Sequence, residues 1–505
     1  MASLAVVYSR AGVGINAPLV TVEVHVASGL PSLSIVGLPE TTVKESKDRV
    51  RAAIINSNFA FPAKKIIINL APADLPKEGG RFDLPIAMGI LIATGQLDAK
   101  DINQYEFLGE LALSGELRPV KGVLPAVMKS MEENRSLIVA PGNAQEASLV
   151  SNAQVFIANS LLDVCQHFAA QSSLSLVNAE LEEPSDNTET LDLGDVKGQY
   201  QAKRALEIAA AGGHSLLMIG PPGTGKTMLA SRLTSILPEM TEAEALESAA
   251  LRSISQGDYE FSSWKKRVFR APHHTASAVA MVGGGGVPKP GEISLAHNGV
   301  LFLDELPEFS RQVLEVLREP LESGSISISR AAGKMEFPAK FQLIAAMNPC
   351  PCGYLGDSSG RCHCTSEQVQ RYQNKISGPL LDRFDMQLNV PRIAVREQFS
   401  EEAEVSEKSA EINIRVKRAR KLQYQRANKP NSGLSSKELR KHCHLDDTAR
   451  ELLLSSIDKL QLSSRAHDKI LRVARTIADL EKTETIKMNH VAEAVNYRKL
   501  DRGRL

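Results

Sequence analysis

Residues 216–227 run LLMIGPPGTGKT, an apolar strand-like stretch that turns through glycines into a helical pattern over Met228–Leu237. Gly220, Pro221, Pro222, Gly223, Thr224, Gly225, Lys226 and Thr227 fit GxxxxGK[ST], the form of a phosphate-binding loop, in the strand–turn–helix context that form requires. Glycines let backbone N–H groups approach phosphate oxygens, the lysine reaches the β and γ oxygens, and the hydroxyl serves Mg²⁺. The expectation is an ATP site with Lys226 on the phosphates and Thr227 on the metal.

Val300–Leu303 reads as a buried strand that ends in Asp304 and Glu305, about 80 residues beyond the loop. Asp304 suits Mg²⁺, and Glu305 suits orientation and activation of the attacking water. Leu343–Met347 reads as another strand and ends in Asn348, whose amide can orient the same water. Acids at a strand end and an asparagine before proline are ordinary turn residues by themselves; the phosphate loop changes their meaning. Together these strands predict a parallel α/β core over 193–394.

On either side the pattern changes. Residues 1–172 predict a mixed α/β domain, with Val20, Val22, Val24 and Val26 alternating, Lys65–Leu70 strand-like, and helical spacing after Thr41 and over Asp83–Thr94. Residues 173–192, mostly the acidic LVNAELEEPSDNTETLD, predict a linker. Residues 395–505 carry charged amphipathic helical patterns and predict an all-α lid. A chain of 505 residues exceeds one hydrophobic core, and its 43% hydrophobic and 23% charged content excludes disorder. Lys+Arg and Asp+Glu balance at 59 each, so any nucleic-acid footprint must be local. MASLAVVYSRAGVGINA has no basic leader before an apolar core, and no uncharged run is long enough to span a bilayer, which predicts a cytoplasmic protein without membrane contact.

Four of the six cysteines, Cys350, Cys352, Cys362 and Cys364, form C-x-C-x₉-C-x-C directly after the Asn348 strand. Four thiolates on a loop with little apolar content suit a tetrahedral Zn²⁺ staple. His363 is an alternative ligand, and reduced thiols or a redox disulfide are the other readings. Ser325–Lys340 alternates, turns through Arg330-Ala-Ala-Gly-Lys334 and returns, which predicts a β-hairpin with a basic tip. Arg415, Lys417, Arg418, Arg420, Lys421, Arg426 and Lys429 make a basic stretch that reads equally as a DNA-contacting face or as a solvated helix.

Several segments resemble one family in order and wording. They are Gly220–Thr227, Arg270–Thr275 (RAPHHT), Gly283–Gly299 (GGGGVPKPGEISLAHNG), Val300–Phe309 (VLFLDELPEF), Asn348–Gly353 (NPCPCG) and Gly378–Asp385 (GPLLDRFD). On these motifs the chain is identified as a member of the ComM/YifB family of magnesium-chelatase-like AAA+ proteins. The resemblance implies an AAA+ P-loop core of the helix-2-insert clade, related to MCM helicases and the chelatase motor. It also implies a homo-hexameric ring that uses ATP and Mg²⁺ to drive branch migration on single-stranded and branched DNA during natural transformation, with recombination proteins as further partners. Arg383 then looks like the arginine finger that enters a neighbour's ATP site, and Arg465 like the helix-borne sensor, with Arg472 its rival. Arg330 takes the place of the pore-facing base of MCM hairpins, and Lys334 adds charge beside it, so both are expected to touch DNA. The Gly283–Gly299 insertion, with Lys289 at its turn, is a second candidate pore element.

Gly79–Gly89 and Phe107–Val123 resemble the Lon protease catalytic domain. The positions of its serine and lysine read Asp83–Pro85 and about Ala126, so the resemblance implies the fold without peptide hydrolysis. A chelatase motor and a Lon-like protein-remodelling ATPase are the competing functions.

Overall fold

The valine alternation becomes the spine of the first large sheet. In a computed structural model, describing residues 3–37, 40–98, 100–177, 191–255, 263–285, 288–330, 333–357, 360–392 and 407–498, Val20, Val22, Val24 and Val26 are all buried while Thr21, Glu23 and His25 face partly outward. They lie on Leu19–Ala27 (β2), which pairs antiparallel with Ser3–Arg10 (β1) and Lys65–Ala71 (β4). Ser32–Val36 (β3), Tyr105–Phe107 (β5), Ser136–Val139 (β8), Val155–Ile157 (β9) and Ser175–Leu176 (β10) complete eight strands in the order β10-β9-β8-β5-β1-β2-β4-β3. Glu110–Leu111 (β6) and Leu117–Arg118 (β7) form a small ladder of their own. The helix Asp83–Ala93 is apolar almost all round and is buried on nearly every side against β1 and β2, as such a helix must be. Because Ser175–Leu176 pairs with β9, the first domain reaches into the start of the expected linker; residues 178–190 lie outside the described residues.

The second large sheet is wholly parallel. Its order is β12-β15-β18-β11-β19, from Phe269–Arg270 (β12), Val300–Leu303 (β15), Gln342–Met347 (β18), Leu216–Ile219 (β11) and Met386–Asn389 (β19). Every residue of β11 and β15 is buried, which explains their unbroken apolar runs: a parallel sheet is covered on both faces. The architecture is mixed α/β with a parallel second sheet, as the strand pattern over 193–394 predicts. Parallelism also sends Gly220, Asp304 and Asn348 out at one edge, the carboxyl ends of the strands, where ligands of such sheets bind.

Two small β-ladders extend this core. Gly283–Gly284 (β13) pairs with Lys289–Pro290 (β14), and Ser325–Arg330 (β16) pairs with Gly333–Pro338 (β17). The C-terminal part is helical, over Ser409–Ala427, Ser436–His442, Asp447–Leu460, Ser464–Leu480 and Met488–Asn496. It shares one apolar cluster with β11, β15 and the helix Tyr200–Gly212, so it packs on the core as part of it. The first domain is also joined to the core, since Val123, Leu124 and Val127 share a buried cluster with Ala249 and Ala250.

Candidate functional site

The phosphate loop leaves β11 with no room for a side chain at its first residue. A Cβ on Gly220 would stand 2.2 Å from the Val390 carbonyl oxygen, so glycine is required there. The helix Lys226–Ile236 begins at the end of the loop, which puts Lys226 under the turn. Its ammonium donates to the carbonyls of Gly220 (2.8 Å) and Pro221 (2.9 Å) and to Oδ1 of Asn348 (3.3 Å). Burial lowers the Lys226 pKa, while Asp304 and Glu305 oppose the shift from close by. Thr227 Oγ1 donates to Asp304 Oδ2 at 2.6 Å. Lys226, Thr227, Asp304, Glu305 and Asn348 thus meet at the edge shared by β11, β15 and β18.

Glu305 is unusual in two respects. Its φ is +52°, a left-handed conformation that non-glycine residues rarely hold, and its Oε2 lies 3.2 Å from Nδ1 of His274. Nothing in the spacing of RAPHHT distinguishes His274 from a surface histidine; the contact exists only because β12 and β15 are neighbours.

Arg383 is placed elsewhere. It pairs with Glu322, its Nε is buried without a partner, and it lines a shallow cleft of about 420 Å³ with Glu315, Arg318, Glu319, Glu322 and Ser323, none of them from the phosphate loop. Its pKa is lowered first by burial and then by the like charges of Arg465 and Arg318. Arg465 comes near for a clear reason: Lys469, one helical turn on, donates to the carbonyls of Asp382 and Phe384 on either side of Arg383. Arg472 instead donates to the Leu434 carbonyl at 2.9 Å.

The four thiols converge. Cys350, Cys352, Cys362 and Cys364 have their sulfurs all within 4.8 Å of one another, with 3.3 Å for Cys350–Cys352, 3.7 Å for Cys352–Cys362 and 3.8 Å for Cys350–Cys362. A tetrahedral zinc with bonds of about 2.3 Å needs sulfurs about 3.8 Å apart, so the donor set fits the ion. A hydrogen bond from the Tyr354 backbone, helped by the neighbouring thiols, pulls Cys352 down to about 6. This loop also packs on the turn after β11: a Cβ on Gly353 would be 2.8 Å from Pro222 Cδ and 3.7 Å from Asn348 Cγ.

The hairpin β16–β17 turns its apolar side inward, with Ile326, Ile328, Met335 and Phe337 buried and Lys334 exposed. Arg330 ends β16 opposite Gly333; its side chain and residues 331–332 lie outside the described residues. Part of the basic stretch is paired within the fold, while Lys417, Arg418 and Lys421 are exposed. Arg415 pairs with Glu207 and Glu407, Lys417 with Glu239, Arg426 with Asp479 and Lys429 with Glu438, while Arg420 donates to the Ala210 carbonyl. In the first domain Asp83 is buried against Arg49 (2.7 Å) and Ala126 is buried. No helix among the described residues is long and apolar enough to cross a membrane.

Comparison with known proteins places this geometry among relatives. The family described as magnesium chelatase, subunit ChlI, matches residues 192–398, with its companion families, subunit ChlI of Mg-chelatase and the subunit ChlI C-terminal region, on 22–143 and 406–498. The chain is 54% identical over 503 residues to competence protein ComM of Haemophilus influenzae, covering 99% of this chain and 98% of that one. It is 51% identical over 503 residues to the uncharacterized protein YifB of Escherichia coli, with the same coverage. DNA helicase MCM8 of Bos taurus is 24% identical over 278 residues, 49% of this chain and 29% of that one.

Proposed function

The chain belongs to the ComM/YifB family of magnesium-chelatase-like proteins, and on that premise we propose that it is an AAA+ ATP hydrolase working as a hexameric DNA motor. The observation that carries the reading is the convergence of Lys226, Thr227, Asp304, Glu305 and Asn348 at one edge of the parallel sheet. Backbone N–H groups of the loop and the Lys226 ammonium hold the triphosphate, and the ammonium leaves its carbonyl partners to do so. Thr227 and Asp304 would hold Mg²⁺, which when bound neutralises charge on the β and γ oxygens. Glu305 takes the proton of the attacking water, and Asn348 orients that water. Arg383 and Arg465, remote from the loop and crowded against like charge, act on the neighbouring subunit's nucleotide.

The substrate reading rests on the competence role named for the Haemophilus relative and on the distant likeness to MCM helicases. It is branch migration of recombining DNA in natural transformation, in the cytoplasm, with Arg330 and Lys334 tracking the strand. Zn²⁺ on the four thiols shapes the loop beside Pro222. A protein-remodelling ATPase would share the ATP site and differ only in what stimulates it. The deciding assay measures ATP turnover beside single-stranded DNA, forked DNA and denatured protein: stimulation by forked DNA supports the proposal, and stimulation by denatured protein alone overturns it.

A further inference from the structure

Lys469 is buried, at 8% exposure, and takes no part in the chemistry above. It stands within the lid helix Ser464–Leu480, whose apolar face shares a cluster with β11 and the helix Tyr200–Gly212. Burying an ammonium is unfavourable, and burial pulls its pKa down to about 8 against the opposing charge of Asp385. A methionine would fill the same place without that cost. What the ammonium does there is donate to two backbone carbonyls, those of Asp382 and of Phe384 (2.9 Å), with Asp385 Oδ1 at 3.6 Å.

Those carbonyls flank one residue. Arg383 lies between two peptide planes, and each is held at its oxygen: the Asp382 carbonyl by Lys469, and the Arg383 carbonyl by Ser215 Oγ at 2.8 Å. A planar peptide fixed at its oxygen keeps little freedom, so fixing both sets the backbone of Arg383 and the direction in which its side chain leaves the chain. The following residues are held as well, since the Phe384 carbonyl also accepts from Arg498 at 2.6 Å and the Asp385 N–H donates to Ser215 Oγ at 3.0 Å. The side chain so aimed is treated differently: Nε of Arg383 is buried without a partner, and its guanidinium pairs with Glu322, an exposed carboxylate. A second arginine belongs to the same frame, because Arg465 stands one helical turn before Lys469 and its charge, after burial, lowers the pKa of Arg383. The competing reading is a rivet between lid and core. The shared apolar cluster already joins the two, and the polar contacts of the Lys469 side chain among the described residues all fall on residues 382–385.

We propose that Lys469 is a positioning residue for hydrolysis in the neighbouring subunit: from the lid it fixes the backbone around Arg383, and so sets Arg383 and Arg465 as one unit against the neighbour's nucleotide. This role rests on the trans assignment of Arg383 and adds to it the element that aims the guanidinium, the lid of the same subunit. Lys469 touches carbonyls and Asp385 and no residue of the Gly220–Thr227 loop, so its own subunit's phosphate cradle stands without it.

The test is steady-state ATP turnover beside binding of a fluorescent ADP analogue, for wild type, Lys469→Met, Ser215→Ala and Arg383→Ala, for Lys469→Met and Ser215→Ala each combined with Arg383→Ala, and for Lys469→Met mixed with Lys226→Ala. Lys469→Met keeps the bulk of the side chain and the Phe384 carbonyl keeps Arg498, so the lid should stay docked and ADP should bind as to wild type. Turnover should fall about tenfold to hundredfold, the range that misplacing a catalytic group covers. In the Arg383→Ala background the same change should bring no further loss, because Lys469 acts through Arg383. Mixing with Lys226→Ala should restore part of the turnover, since a Lys226→Ala neighbour with its own Lys469 and Arg383 completes the intact ATP site of the Lys469→Met subunit. Wild-type turnover in Lys469→Met, a loss that multiplies with that of Arg383→Ala, or a loss that mixing never repairs would overturn the proposal. Should Lys469→Met fail to bind ADP, Ser215→Ala decides. It releases the other peptide plane and should lower turnover by less, and not at all in the Arg383→Ala background; an unchanged rate alone, or a loss that multiplies, overturns the proposal. Arg383→Ala with wild-type turnover would remove the trans assignment and this role with it, whereas an inactive Arg383→Ala beside a fully active Lys469→Met removes this role alone.

Discussion

Two sets of buried charge beside the two large sheets are held in different ways. Arg10, on the eight-stranded sheet, forks onto Glu106 at 2.6 and 2.7 Å with both side chains almost fully buried, and Asp83, on a helix of the same domain, is buried against Arg49. In the parallel sheet Lys226 rests on backbone carbonyls and an amide, Asp304 on a hydroxyl, and Arg383 carries a buried Nε with no partner. Charges closed in pairs hold a fold, because removing one partner strands the other in a low dielectric. Charges on neutral or provisional partners are available to a ligand that brings the missing sign.

The largest effect that would sharpen this contrast is in trans. Arg383→Ala should lose about 10³-fold or more in turnover, yet partly restore activity when mixed with Lys226→Ala, since its defect lies in the neighbour's site. Mixed assemblies that never recover would return Arg383 to the closed, structural kind. Next comes Glu106→Gln, which leaves Arg10 buried without its main partner and should cost about 3 kcal/mol of stability in denaturant titration, with ADP binding at the phosphate loop intact. A loss of ADP binding in that variant would blur the division between the sheets.

Cys350→Ser should release about one zinc per chain and lower the melting temperature, and, because Gly353 packs on Pro222, weaken ADP binding as well. Purified wild type without zinc by elemental analysis would contradict it. The smallest effect is a pH response. Burial first, then the charge of and hydrogen bond to Glu40, raises Glu78 to about 7, against Lys289 and Arg81. A carboxyl whose folded pKa is raised gives stability at low pH that is lost as pH rises through the folded value. Wild type should therefore lose on the order of 1 kcal/mol relative to Glu78→Gln between about pH 5 and pH 8, after allowance for partial exposure. Parallel melting curves for the two would deny Glu78 that environment.

The candidate ATP site is legible in the chain because each member ends or follows a continuous local pattern. A glycine-rich turn, an Asp-Glu after four apolar residues and an Asn after another apolar run need no long-range knowledge. The strand order is not legible. LLMI, VLFL and QLIAAM are interchangeable apolar runs once both faces are covered, so nothing local puts β11 between β18 and β19. The basic stretch shows the same limit: its acidic partners Glu207, Glu239 and Asp479 lie far away in sequence, and composition cannot announce that pairing. The His274–Glu305 contact left no signal, because it comes from the adjacency of two strands and from no spacing within its own motif.

The account's central claim is that the edge shared by β11, β15 and β18 is where ATP is bound and cleaved, by groups with separate duties. Nucleotide affinity and turnover measured side by side for Lys226→Ala and Glu305→Gln test it most directly. Lys226→Ala should lose affinity, whereas Glu305→Gln should bind ATP as wild type does and turn it over about 10²–10⁴-fold more slowly. A Glu305→Gln protein that hydrolyses ATP at the wild-type rate, or a Lys226→Ala protein that binds it unchanged, would contradict the account.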